Sequence, residues 1–236
     1  MKLPLLLSVP HAGLQVPPEA VPFCVLTPRQ IEEDGDEGAA EIYDLAPKVE
    51  VYLTTKIARC IVDLNRDLDD QRPDGVVKTH TCLEVPVYER FPPPGVVDAL
   101  LSRYHLPYHR DLTRLARPPV RCGIDCHTML AKGPPIGPGP GLQRPWVCLS
   151  NGEGTCPQPW IEALQRCFRE VWGGPVQIND PFKGGFITRC HASEMPWIQL
   201  EISRAPFASN RQKRQGVLKA LQMFCSEVFP AVVSGQ

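Results

Sequence analysis

The segment "VRCGIDCHTM", residues 120–129, decides how the chain is to be read. An apolar run enters it, and an aspartate and a histidine stand two apart where the run meets its loop. Side chains two apart on a strand point to the same side. A strand here therefore puts Asp125 and His127 on one face and Cys126 on the other. Fold and function then depend on whether other strands deliver comparable groups to the same edge.

Outward from this segment, short apolar runs recur at Leu3–Val9, Val49–Thr54, Cys60–Leu64, Val120–Asp125, Trp146–Ser150, Val176–Ile178 and Trp197–Ile202. Continuous rather than alternating apolarity predicts strands covered on both faces. Helical patterns lie between them. Thr27 is placed to cap a helix with Pro28 at its first position, running toward Ala46 with a break near Gly35 and Gly38. Pro94–Leu115 is a helix broken or kinked at Pro107. Pro157–Trp172 and Ser209–Phe229 keep helical spacing, the latter with Val217, Leu221, Phe224 and Val228 on one face. Strands alternating with helices predict an α/β protein: one domain over residues 1–236, a three-layer sandwich around a mixed, mostly parallel sheet. Two Gly/Pro-rich loops, Asp67–Pro94 and Ala131–Arg144, are long enough to be functional.

Composition narrows the classes. The 25 basic and 26 acidic residues give a formal net charge of −1 without a basic block, which predicts no nucleic-acid surface. The opening "MKLPLLLSVPHAG" is too short and too interrupted by Pro4 for a signal peptide and reads as a first core strand. No run approaches the roughly 20 apolar residues of a membrane span. The ten cysteines are scattered, several inside apolar runs (Cys60, Cys148, Cys167, Cys225), as free thiols are in a reducing compartment. A cytoplasmic protein without membrane or nucleic-acid partners is expected; no oligomeric state follows from the sequence.

Polar groups gather at the ends of the expected strands, where α/β sheets bind ligands. "SVPHAG" supplies His11, "VDLNRD" supplies Asp63, Asn65 and Arg66, and "DCHTM" supplies Asp125 and His127. Singly, each has a plain structural use: a turn cap, a surface ion pair, an acceptor for loop amides. Glu201, inside "WIQLEIS", does not. An unpaired carboxylate in an apolar strand costs several kcal/mol, and buried acids with displaced pKa values are catalytic candidates. His105 and His109 share the i, i+4 spacing of a helical metal pair. With Pro107 between them and no accompanying glutamate, they are read as packing or capping residues. Two imidazoles and a carboxylate form a common catalytic zinc shell. Such a zinc lowers the pKa of water toward about 7, a nearby carboxylate relays the proton, and an arginine fork orients a substrate carboxylate.

In order and spacing, "SVPHAG", "VDLNRD", "DCHTM", "NDPFKGGFITR" and "WIQLEIS" resemble the N-formylglutamate amidohydrolase family, from about Leu3 to Arg204. The family is itself similar, at a distance, to the zinc carboxypeptidases and aspartoacylase, with a phosphorylase/hydrolase-like sandwich. The resemblance implies one zinc ion per chain, with His11 and His127 as ligands. The carboxypeptidase pattern has a glutamate three residues after the first histidine, where this chain has Leu14. The acidic ligand is then sought in "EDGDEGA", where Asp36 aligns best and Asp34 and Glu37 are its neighbours. Asn65 and Arg66 would bind a substrate carboxylate, and Arg189 a second carboxylate or the carbonyl. Glu201 would be the general base and then acid, and Asp125 would tune His127 from behind. The chain departs from the pattern in "LDDQRPDG" and in the Cys190–His191 pair.

The implied activity is zinc-dependent hydrolysis of an N-acyl amino acid, first N-formyl-L-glutamate to formate and glutamate. The alternatives are another acylated amino acid, a small peptide, or a non-catalytic carboxylate binder. A cysteine hydrolase using Cys126 with His127 is disfavoured, because neighbours on a strand face opposite sides.

Overall fold

The computed structural model describes residues 2–230. Six strands form one sheet in the order β2-β1-β3-β6-β4-β5: β1 Leu3–Val9, β2 Val49–Thr54, β3 Cys122–Met129, β4 Val147–Ser150, β5 Val176–Ile178 and β6 Trp197–Ser203. β2, β1, β3 and β6 are mutually parallel, β4 runs antiparallel to β6, and β5 is parallel to β4. The mixed, mostly parallel α/β sheet expected from the sequence is what is found.

The sheet divides the interior by strand alternation. Leu5, Leu7 and Val9 of β1, Cys122, Ile124 and Cys126 of β3, and Ile198, Leu200 and Ile202 of β6 face one core. That side is covered by α2 (Ala39–Ile42), α5 (Gln158–Trp172) and α7 (Asn210–Val228), through residues such as Ile42, Leu164, Phe168, Val217, Leu221 and Phe224. The opposite face carries Leu6 and Trp197 into a second core with Leu100, Tyr108, Leu112 and Ile187. These come from α3 (Pro94–Leu100), α4 (Leu106–Leu115) and α6 (Phe186–Cys190), and the 55–92 segment completes the layer. α1 (Pro28–Asp34) adds Ile31 to this second core.

Local chemistry explains the helix ends. Thr27 caps α1 in a capping box with Gln30, and Ser209 caps α7 likewise with Gln212. The expected break falls at Gly35–Gly38, where Gly38 takes φ +83°. Pro107 does not break its helix. A π turn over Leu101–His105, with the Leu106 N–H bonded to the Leu101 carbonyl, absorbs the proline's missing donor.

Two expectations are corrected. Cys60–Leu64 is not a strand but a turn, held by Ile61 and Val62 N–H bonds to the Ala58 carbonyl. Its residues are buried in the second core. A short apolar run reads alike whether it packs as strand or turn. β3 also extends four residues beyond Asp125 and pairs with β6 as far as Met129 with Ser203. Asp125 and His127 therefore lie within the ladder rather than after it. All ten cysteines are unpaired. Among the described residues no helix is long and apolar enough to cross a membrane.

Gly123 shows how tightly the second face is packed. It pairs with Trp197, and a Cβ there would fall 2.3 Å from the indole. Gly123→Ala is expected to destabilise the fold by roughly 1–3 kcal/mol through overpacking. Urea unfolding checks this, and an unchanged midpoint would contradict the packing described.

Candidate active site

The second face of the sheet also carries the polar groups. Ser8, Asp125, His127, Gln199 and Glu201 project from neighbouring strands. Asp125 lies opposite Gln199 and His127 opposite Glu201 in the β3–β6 register. His11 lies just past the end of β1, and Asp36 follows α1, its N–H bonded to the His11 carbonyl at 3.2 Å. All are buried. His11, Asp36, His127, Gln199 and Glu201 line a cavity of about 460 Å³ at the carboxyl edge of β1, β3 and β6, with Ser8 and Asp125 behind them.

The two histidines are built alike. His11 Nε2 lies 2.8 Å from Asp63 Oδ1, and His127 Nε2 lies 2.8 Å from Asp125 Oδ2. Ionised carboxylates only accept, so each Nε2 carries a proton and each Nδ1 of a neutral ring presents a lone pair. Those Nδ1 atoms are 3.1 Å apart. Asp36 Oδ2 lies 3.0 Å from the His127 Nδ1 and 3.6 Å from the His11 Nδ1. Three such atoms converging on one point need a positive species between them, either a proton on an imidazole nitrogen facing Asp36 or a bound metal ion. Their ligand atoms all lie within 4.8 Å of one another, and the donor set of two imidazoles and a carboxylate fits zinc. The carboxylates behind the rings fix tautomer and orientation, as they do behind metal-bound histidines.

The electrostatics agree with a cation-seeking site. Burial disfavours charge on Asp36, but the adjoining imidazoles hold its carboxyl well below the usual range. Burial likewise opposes the imidazolium of His127. The charge of Asp125, with its hydrogen bond and that of Asp36, reverses this and raises the ring well above the ordinary histidine range. Glu201 goes the other way: burial, with Asp36 and Asp125 nearby, lifts its carboxyl to about 7 against the pull of His127 and Arg59. One Glu201 oxygen accepts from Gln199 Nε2 at 2.9 Å.

Of the three acids in "EDGDEGA", only Asp36 joins the histidines. Asp34 pairs with Lys78 Nζ at 3.0 Å and accepts the Cys82 N–H at 2.7 Å, and Glu37 reaches outward to Arg29 at 3.1 Å. Asn65 stands beside His127, but its amide is occupied: Nδ2 donates to Asp125 Oδ2 at 3.1 Å and Oδ1 accepts the Ile187 N–H at 2.8 Å. Arg66 borders the cavity, with its guanidinium bonded to Asp74 and to backbone carbonyls. Arg189 is exposed, donates to the Gly184 carbonyl at 2.7 Å, and lines an adjoining depression shared with Arg66. Cys126 is buried in the opposite core, and burial pushes its thiol up, so it is no partner for His127.

Sequence reading gave no role to several cavity residues. Asp63 was visible in "VDLNRD" but backs His11 only once the chain has folded. Arg59 pairs with Asp63 at 3.0 Å, and Arg204 donates to Thr128 Oγ1 at 3.1 Å. Arg144 closes the Gly/Pro-rich loop flagged as functional. It is buried, stacks on Phe182 at 4.9 Å, and donates to the Pro138 carbonyl, while its Nε has no partner among the described residues.

A sequence profile of the N-formylglutamate amidohydrolase family matches residues 3–208. The chain belongs to that family. It is 25% identical to N-formylglutamate deformylase of Pseudomonas putida, covering 99% of this chain and 93% of the relative. It is 27% identical to the N-formylglutamate deformylase of Pseudomonas aeruginosa, over 88% and 85% of the two chains. The crystal structure of N-formylglutamate amidohydrolase from Ralstonia eutropha JMP134 superposes with a TM-score of 0.78 at 21% identity, covering 100% of this chain and 96% of that one, which shows a shared fold.

The raised Glu201 carboxyl has a consequence for stability. A folded pKa of about 7 against an ordinary 4.5 favours the protonated acid in the fold. That contribution is complete below about pH 4.5 and is lost as pH rises through about 7. In chelator-treated protein the advantage of Glu201→Gln over wild type should therefore grow across this window, approaching about 3 kcal/mol. Denaturant midpoints at pH 5 and pH 8 measure it. An equal advantage at both pH values would mean that Glu201 does not titrate there.

Proposed function

We propose that this family member is a zinc-dependent amidohydrolase of N-acyl amino acids, with N-formyl-L-glutamate, cleaved to formate and glutamate, as its first substrate. The observation that carries the proposal is the convergence of His11, Asp36 and His127 directly across the β3–β6 pair from Glu201. The names of the relatives support the substrate class. A cytoplasmic setting is supported by the cysteines spread through apolar runs.

His11, Asp36 and His127 would hold the zinc, which supplies a Lewis acid that polarises an acyl carbonyl and acidifies water. Asp63 and Asp125 keep the two imidazoles in the tautomer that binds a cation. Glu201 is held at one oxygen by Gln199. Its raised proton affinity suits a group that takes a proton from the attacking water and returns it to the departing amine. Asn65 orients: it ties the backbone of α6 to Asp125 and so to His127.

Anion recognition follows from the cavity's cations. Arg59, Arg66, Arg72, Lys78 and Arg204 each have an acidic side chain within 4.0 Å. Arg144 and Lys183 have none among the described residues, and of the two only Arg144 is buried. A buried guanidinium without an anion is costly, and the carboxylate of an acyl amino acid supplies one with matching fork geometry. We assign the inner carboxylate to Arg144. Arg66 and Arg189, bordering the adjoining depression, are assigned a second carboxylate at the mouth.

Glu201→Gln keeps the side chain's shape but cannot accept a proton. It should retain zinc, counted by elemental analysis, and lose roughly 10²–10⁴ in turnover of N-formyl-L-glutamate. Full activity in that variant would refute the mechanism. A zinc-loaded wild type inactive on N-formyl and N-acetyl amino acids alike would favour a carboxylate binder. Arg144→Gln should raise KM for N-formyl-L-glutamate by about 10-fold or more while zinc content stays constant, since charge-assisted hydrogen bonds contribute roughly 1.5–3 kcal/mol. An unchanged KM would remove Arg144 from the substrate site.

A further inference from the structure

Beyond Asn65, away from the cavity floor, lies a second group of nitrogen and sulfur ligands. His109 on α4 meets Cys190 and His191 at the end of α6. His109 Nε2 lies 2.9 Å from the Leu64 carbonyl, which can only accept, so that nitrogen carries the proton. His191 Nδ1 lies 3.0 Å from Glu194 Oε2, which places its proton there. The remaining nitrogens, His109 Nδ1 and His191 Nε2, are both bare in the neutral rings, yet they face each other at 2.9 Å. The Cys190 sulfur completes a set whose ligand atoms all lie within 4.8 Å of one another.

We propose that His109, Cys190 and His191 form a second metal site, for a thiophilic ion of the Zn²⁺ class. The ligand set is the argument. Two imidazoles and a thiolate suit zinc better than hard cations, and the outer N–H of each ring is already anchored, on a carbonyl and on a carboxylate. Cys190 is exposed and lines the depression beside Arg189, so the ion has a route in and a solvent-facing fourth position. The three ligands come from two helices. An ion here clips α4 to α6 and, through His109, holds the Leu64 carbonyl. Leu64 precedes Asn65, whose amide accepts the Ile187 N–H of α6 and donates to Asp125 behind His127. The site's role is structural: it fixes the turn that orients Asn65. The competing occupant is a proton shared between the two rings, which leaves Cys190 uninvolved.

Cobalt distinguishes the two occupants. The His11, Asp36 and His127 site offers no sulfur, so a thiolate-to-cobalt charge-transfer band reports the second site alone. Full-length protein stripped by chelator and titrated with Co²⁺ should develop this near-ultraviolet band to one thiolate–cobalt centre per chain, and Zn²⁺ should displace it. Cys190→Ser should abolish the band while the visible absorption of cobalt at the first site remains. His191→Gln should weaken the band's cobalt affinity at least tenfold. No band in folded wild type at excess Co²⁺ would assign the pair to a shared proton and overturn the proposal. A band that survives in Cys190→Ser would do the same, by placing the thiolate elsewhere, such as Cys82 on the cavity wall.

Discussion

Six ionisable side chains, His11, Asp36, Asp63, Asp125, His127 and Glu201, lie almost wholly out of water at one edge of a single sheet. Each would cost several kcal/mol if buried charged and alone. None is alone: imidazole lies against carboxylate on two sides, and Arg59 and Lys78 balance the surplus negative charge. This mutual compensation requires residues from β1, β3, β6, the post-α1 turn and the 59–78 segment to arrive together. The fold supplies them because parallel strands end at a common edge, and because alternation turns Asp125, His127 and Glu201 away from the aliphatic core beneath.

How far this was legible varies with the range of the interaction. Strand alternation is local, and it correctly separated Cys126 from His127. Capping chemistry is local too, and Thr27 and Ser209 begin helices where the sequence marks them. Cys60–Leu64 misled because its apolarity reports burial, not backbone form. Its polar neighbours reach the site from a turn. Among the acids of "EDGDEGA" Asp36 aligns best, but Asp34 and Glu37 are too close in sequence to be set aside without the fold. The fold separates them, giving Asp34 to Lys78, Glu37 to Arg29 and Asp36 to the histidines. Arg144 was invisible as a site residue for a different reason. Its significance is a missing partner, and only three dimensions show which partners are absent.

The two histidine clusters share one design principle. A neutral imidazole has one donor and one acceptor, so anchoring the donor on an oxygen aims the acceptor. At His11 and His127 the anchors are buried carboxylates; at His109 and His191 they are a backbone carbonyl and a half-exposed glutamate. The anchor sets the electrostatics. Asp63 and Asp125 add negative charge behind the rings and strengthen them as ligands. The Leu64 carbonyl adds only a dipole, and burial then lowers His109 to about 3, leaving it neutral. The two clusters meet at the turn 64–66, where the Leu64 carbonyl serves one and the Asn65 amide serves the other.

Charge neutrality inside the cavity also bears on selectivity. A wall of arginines and lysines would attract any anion if all were free. Here most are committed to acids of the protein, with Arg59 on Asp63 and Lys78 on Asp34. These two buried pairs build the inner walls without adding a binding site. The buried cation that remains, Arg144, sits on a loop whose base is pinned by the bond from its own N–H to the Ala131 carbonyl. Phe182 covers one face of its guanidinium and the Pro138 carbonyl takes one Nη2 hydrogen, which leaves the unpartnered Nε edge for the proposed carboxylate. On the reading that places a substrate carboxylate there, a neutral amide in that position would lose the charge attraction of the buried guanidinium, which favours the acid.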